Sequence, residues 1–186
     1  MAAPTILMEF KKTQQTWPGF SDVYVQARDR IRGLAQSAWG QSFGGLFPGA
    51  NEFGETTIRP RFIALGTNTA RETWERSLAT GWKVAFSNNV LEDVYLGIAG
   101  LIIPEASNKV SAVQIKGGGK TLPAINVDGL VDVFEQPIVV FSDGLSVPEE
   151  TNLELDIQSK QDGTKAVQPW GPAVAKQKTL ISQTPS

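Results

Sequence analysis

The 186-residue chain contains no cysteine and no histidine. The first absence excludes disulfides, thiol nucleophiles and cysteine-based zinc centres. The second removes the commonest general base and every triad built on imidazole. Stability must come from packing, and the lack of cysteine leaves the redox compartment open. Charge is thin as well. Asp, Glu, Lys and Arg make up 19% of the residues, below the roughly 25% of an ordinary soluble domain. Uncharged surface must therefore be extensive, a trait of proteins that associate. A net charge of −2 provides no basic field for nucleic acid. The longest apolar run, Val94–Ile103, is half the roughly 20 residues that span a bilayer as a helix. The opening MAAPTILMEFKK lacks the basic-then-apolar order of a secretory signal.

What is present is β patterning. Val94–Ile103 leads through a polar turn into Asn108–Lys116, whose Val110, Ala112 and Gln114 alternate with Ser111, Val113 and Ile115, and then into three glycines. Val94–Ile103 fits a helical period too, but Gly97 and Gly100 would each cost a helix about 1 kcal/mol, so two core strands are expected. Gly81–Ser87 sets Trp82, Val84 and Phe86 on one face, as a strand with its aromatics in the core. Asp22–Arg30 alternates through Val23, Val25 and Ala27 and reads as a strand. Arg28–Trp39, with Ile31, Leu34, Ala35 and Ala38, also suits a helix, and the choice there stays open. Thr5–Phe10 is a short apolar segment suited to a sheet edge. Thr56–Leu65 is a strand broken at Pro60. The strongest helix signal lies at Thr69–Thr80: Thr69 and Glu72 form a capping box, Trp74 and Leu78 share a face, and Gly81 is a stop. Asp128-Gly129, Asp143-Gly144 and Asp162-Gly163 each suit a tight hairpin. No repeat of 20–50 residues is present.

These elements predict an all-β fold: an antiparallel two-sheet sandwich of jelly-roll type with one short helix. Residues 1–20 read as an N-terminal arm, 21–168 as a single domain and 169–186 as a C-terminal arm.

The chemistry-bearing patterns are weak. Lys116-Gly-Gly-Gly-Lys-Thr121 invites a phosphate-loop reading, but Gln114 stands where the first glycine is needed and Pro123 stops any following helix. It reads as a turn. Glu154 and Asp156 alternate with Leu153, Leu155 and Ile157, and such neighbours can meet the carboxylate spacing of about 5–10 Å that glycoside hydrolysis uses. A solvated strand face has the same pattern, so no catalytic residue is assigned. No cofactor and no metal site is expected, and Asp143 and Asp162 read as turn formers. Aromatics on the arms and on the glycine-rich loop Gly40–Gly54 suit docking onto a neighbour: Trp17, Phe43, Phe47 and Trp170 are the expected inter-subunit anchors.

The strand count, low charge, two arms, the loop GQSFGGLFPGANEFG and the run KVSAVQIKGGGKTLPAINVDG together resemble single jelly-roll major capsid proteins. The likeness is to the small major capsid protein of sphaerolipovirus-like, membrane-containing icosahedral double-stranded DNA viruses. That resemblance implies a structural virion protein, located in the capsid, that self-assembles through sheet faces, loops and arms into capsomers of an icosahedral shell. Its implied partners are further copies of itself, a second, larger capsid protein, and an internal viral membrane or penton proteins. Specific nucleic-acid binding is not implied, and no residue roles carry over. The alternative is a carbohydrate-binding β-sandwich module, which needs exposed aromatics on one sheet face or loop rim. A glycoside hydrolase using Glu154 and Asp156 stands behind it.

Overall fold

The computed structural model describes residues 5–9, 19–40, 53–63, 74–103, 110–128, 130, 137–176 and 179. Two antiparallel sheets face each other. The first runs, in spatial order, β1 (Thr5–Glu9), β9 (Pro137–Val147), β5 (Val94–Ile102), β13 (Pro172–Lys176) and β2 (Phe53–Thr57), with β12 (Gln168–Trp170) beside the far end of β5. The second runs β4 (Gly81–Asn89), β10 (Asn152–Ser159), β6 (Val110–Gly117) and β7 (Lys120–Thr121). β8 (Ile125–Asn126) continues along the edge of β6 beyond Pro123. A two-stranded ribbon of β3 (Glu75–Leu78) and β11 (Gly163–Ala166) stands apart.

Setting aside β1, β12 and the ribbon, and taking β7 with β8 as one interrupted strand, leaves eight strands. Numbered one to eight along the chain, they lie in the orders 1-8-3-6 and 2-7-4-5. That is a double Greek key closed into a sandwich, the jelly-roll arrangement.

Why β5 is central follows from its composition. Every residue from Val94 to Ile102 is buried, as expected of a strand covered on both faces. Leu96, Ile98 and Leu101 point between the sheets and join Ile115, Leu145, Val147, Leu153, Leu155 and Ile157 in the main core. The other face of β5 is covered by helix α1 (Gly19–Trp39). Its buried residues Phe20, Ala27, Ile31 and Ala35 recur at helical spacing. One end packs on Ile102, Ile138 and Val140, the other on Phe53, Tyr95 and Val174. Gly97 allows this approach: a Cβ there would lie 3.0 Å from the Ala27 carbonyl oxygen and 3.2 Å from Ile31.

A polar latch ties the C-terminal end of α1 to the sheet. The Trp39 indole N–H donates to one oxygen of Glu149 (2.9 Å), and the backbone N–H of Asp93 donates to the other (2.7 Å). The Asp93 carboxylate, buried at the head of β5, pairs with Lys176 at 2.5 Å. The Lys176 ammonium also lies 5.0 Å from the centre of the Trp39 ring.

Several expectations need correction. Asp22–Arg30 is helix, because its apparent alternation sits on a longer stripe of Phe20, Ala27, Ile31 and Ala35 that only a 3.6-residue period buries. The helix expected at Thr69–Thr80 is strand over Glu75–Leu78, paired with β11; Thr69 and Glu72 lie outside the described residues. Asp143-Gly144 is no hairpin. It lies inside β9, where Phe141–Gly144 stand opposite Ala99 alone on β5; the chain bulges, and the Arg30 guanidinium donates to the Asp143 carbonyl oxygen there. Finally, the region read as a C-terminal arm carries β12 and the interior strand β13, with Ala173, Val174 and Ala175 fully buried. Pro172 is tolerated as the first residue of its strand. By contrast, Thr5–Glu9 does add to an edge, alongside β9.

Candidate functional site

The outer face of the second sheet is not covered by the helix, and its side chains follow from register. One row runs Ser87–Glu154–Lys116 across β4, β10 and β6. The Lys116 ammonium donates to Glu154 Oε1 and to Asp156 Oδ2, both at 2.7 Å, and Ser87 Oγ donates to Glu154 Oε2 at 2.8 Å. The hydrogen bonds to Asp156 and then Glu154 push the Lys116 pKa up to about 12. The same ammonium, helped by Ser87, holds Glu154 below the usual glutamate range. Hydrolytic chemistry needs one carboxyl held protonated as an acid. Here both candidate carboxylates share one cation, and Glu154 is driven the opposite way. The geometry is that of a surface ion cluster stitching three strands together.

Four residues further along β10, the row Trp82–Gln158–Ala112–Asn126 crosses four strands, β4, β10, β6 and β8. Its middle is low, since Ala112 is small and buried. Trp82 rises at one side, 44% exposed. Asn126 and the ion pair of Asp128 with Lys160 (2.5 Å) rise at the other. The result is an open cleft of about 660 Å³, with Ser111 and Thr80 also on its wall. Trp82 was expected in the core, with Val84 and Phe86 on the same strand face. Trp82 and Val84 face outward because Ala85 has no partner in the β4–β10 ladder: Leu155 pairs with Phe86 and Asp156 with Val84. This bulge inverts the alternation, so that Ala85 and Phe86 are both buried. Nothing in the local sequence marks it.

The glycine run after Lys116 is a two-residue hairpin turn between β6 and β7, Gly118 and Gly119 having φ of 56° and 75°. It is neither a phosphate cradle nor followed by a helix.

Of the four expected anchors, Trp17, Phe43 and Phe47 lie outside the described residues. Trp170 sits on β12, half-buried beneath α1, stacked on Phe20 at 4.4 Å between ring centres and tilted against Tyr24 at 5.6 Å. Trp74, expected in the core, is buried there against Phe86. Among the described residues no group of three or more potential metal ligands is present, and no helix is long and apolar enough to cross a membrane.

Comparison with protein-family models, with curated proteins and with solved structures finds no match to this chain.

Proposed function

We propose that this chain is a structural subunit of a shell: a single jelly-roll capsid protein that self-assembles into capsomers of an icosahedral virion. The observation that carries the reading is the strand order 1-8-3-6 and 2-7-4-5. A double Greek key holds its shape without disulfides or metals, and virus capsids are among its principal users. Composition supports the same role, since 19% charge over 186 residues favours broad uncharged contacts between subunits. The helix α1 gives the sandwich two unlike faces, one shielded and one bare, which suits a wall with an inside and an outside. Further copies of this chain, a larger second capsid protein and an underlying membrane or penton protein are the partners proposed with it. Contacts through Trp17, Phe43 and Phe47 belong to this proposal. Trp170 already stacks on α1, so it contributes to an interface through its remaining exposed edge.

Sedimentation velocity and electron microscopy of the concentrated full-length protein test the reading. Ordered, concentration-dependent oligomers or shells are expected. A monomer at every concentration, under both low and high salt, refutes self-assembly.

A further inference from the structure

We propose that the cleft over the row Trp82–Gln158–Ala112–Asn126 is a binding site for a neutral carbohydrate. The floor and the flanking Trp82 and Asn126 come from consecutive strands in one hydrogen-bonded row, so the body of the site is built into the sheet, with Thr80, Asp128 and Lys160 added at its rim from turns. From β4 to β8 is three strand spacings, about 14 Å at ~4.8 Å each, wide enough for a short oligosaccharide lying across the strands. The volume, about 660 Å³, is that of a small-molecule site.

The chemistry selects the ligand. A tryptophan exposed on one wall offers a flat apolar face to the C–H side of a pyranose ring, while its N–H remains available to a hydroxyl. The indole N–H of Trp82, the side-chain amide of Gln158 and the amide NH₂ of Asn126 make no hydrogen bond among the described residues. Donors and acceptors in alternation match a polyhydroxylated ring better than a purely apolar guest. At the rim, Lys160 and Asp128 neutralise each other through contacts of 2.5 and 2.6 Å, so the site carries no net charge toward an anion. Phosphate, sulfate and sialic acid therefore gain nothing there, and a neutral sugar loses nothing.

The test is an array of neutral oligosaccharides (glucans, mannans, galactans and N-acetylhexosamine-terminated chains) beside sulfated and sialylated ones, probed with the full-length protein. Each hit is then titrated calorimetrically. Binding confined to neutral glycans is expected. Trp82→Ala should lower affinity about tenfold or more, and the double variant Asn126→Ala/Gln158→Ala by a comparable factor. Val84→Ala, exposed on the same strand but outside the cleft, should leave it unchanged. If Trp82→Ala fails to fold, the double variant decides. No neutral glycan bound, binding only to charged glycans or to peptides, or neutral-glycan affinity untouched by the double variant overturns the proposal. Any of these leaves the shell reading standing, because that rests on strand order.

Discussion

Replacing Lys176 by methionine removes the ammonium that faces Asp93 while keeping the length and packing of the stem. The Asp93 side chain is 6% exposed and that of Lys176 20%. Truncating one partner of a buried pair typically costs about 3–5 kcal/mol, because the other charge is stranded. One-fifth exposure of the lysine places this pair at the lower end, about 3 kcal/mol. The reverse change, Asp93→Asn, is milder. The freed ammonium can turn toward water while keeping the Trp39 ring, and asparagine tolerates the φ of 62° at this position. A cost of about 1–2 kcal/mol follows for Asp93→Asn. The double variant strands nothing, so it should lose only about 1–2 kcal/mol, where additivity would give about 4–5. Urea unfolding followed by tryptophan fluorescence, at concentrations low enough to suppress association, measures all three. Lys176→Met should lower the midpoint by roughly 1 M or somewhat more. A loss under about 0.5 kcal/mol for Lys176→Met, or a double variant as unstable as the sum, would refute the view that this charge pair is a coupled, buried unit.

Three further outcomes are expected. Gly118→Ala puts a Cβ 2.1 Å from the Ser146 carbonyl oxygen at a φ of 56°, whereas Gly119→Ala meets open space at a φ of 75°; thermal melts should show about 1–2 kcal/mol lost for Gly119→Ala and clearly more for Gly118→Ala. Ile31→Ala removes a fully buried side chain between α1 and the sheet and should cost about 2–5 kcal/mol in urea unfolding, with faster amide exchange in α1. Glu154 is held below its ordinary range by Lys116 and Ser87, so its stabilising effect is present at neutral pH and fades as pH falls through its lowered folded value. Glu154→Gln should therefore be less stable than wild type at pH 7 and indistinguishable from it near pH 2, and since Lys116 is pushed up to about 12, the gap should persist to about that pH.

The parts of the fold legible from sequence are those governed by local pattern. β5 was readable because an apolar run broken by Gly97 and Gly100 is a poor helix, and β6 because it alternates. The Gly118-Gly119 turn was readable because failed phosphate-loop spacing left only a hairpin. Illegible were features decided by distant partners. The α1 stripe uses two alanines, Ala27 and Ala35, while Val25 on the opposite side and Leu34 at the stripe's flank stay exposed and blur the period. β3 is a strand because β11 pairs with it, overriding the pull of Glu75–Leu78 toward a helical reading. Trp82 faces outward because of one unpaired residue, Ala85. The candidate cleft was thus invisible: its four strands meet only through register, and its key aromatic was assigned to the core. Glu154 and Asp156 were seen as a pair, but the lysine that neutralises them comes from a strand 38 residues away.

The place of β13 has a consequence for the order in which the protein folds. All the strands of the second sheet lie within residues 81–159, so that sheet can pair without the C-terminal strands of the first. The first sheet must wait. Among the described residues β13 is the last strand in sequence, yet it fits between β5 and β2, and until it pairs both present open backbone edges. Such long-range closure is slow, and a chain in which β13 has not yet docked carries two sticky edges and half a seat for its helix. A chain caught in that state is prone to pair wrongly with its neighbours, whereas docking of β13 fills the centre of the sheet.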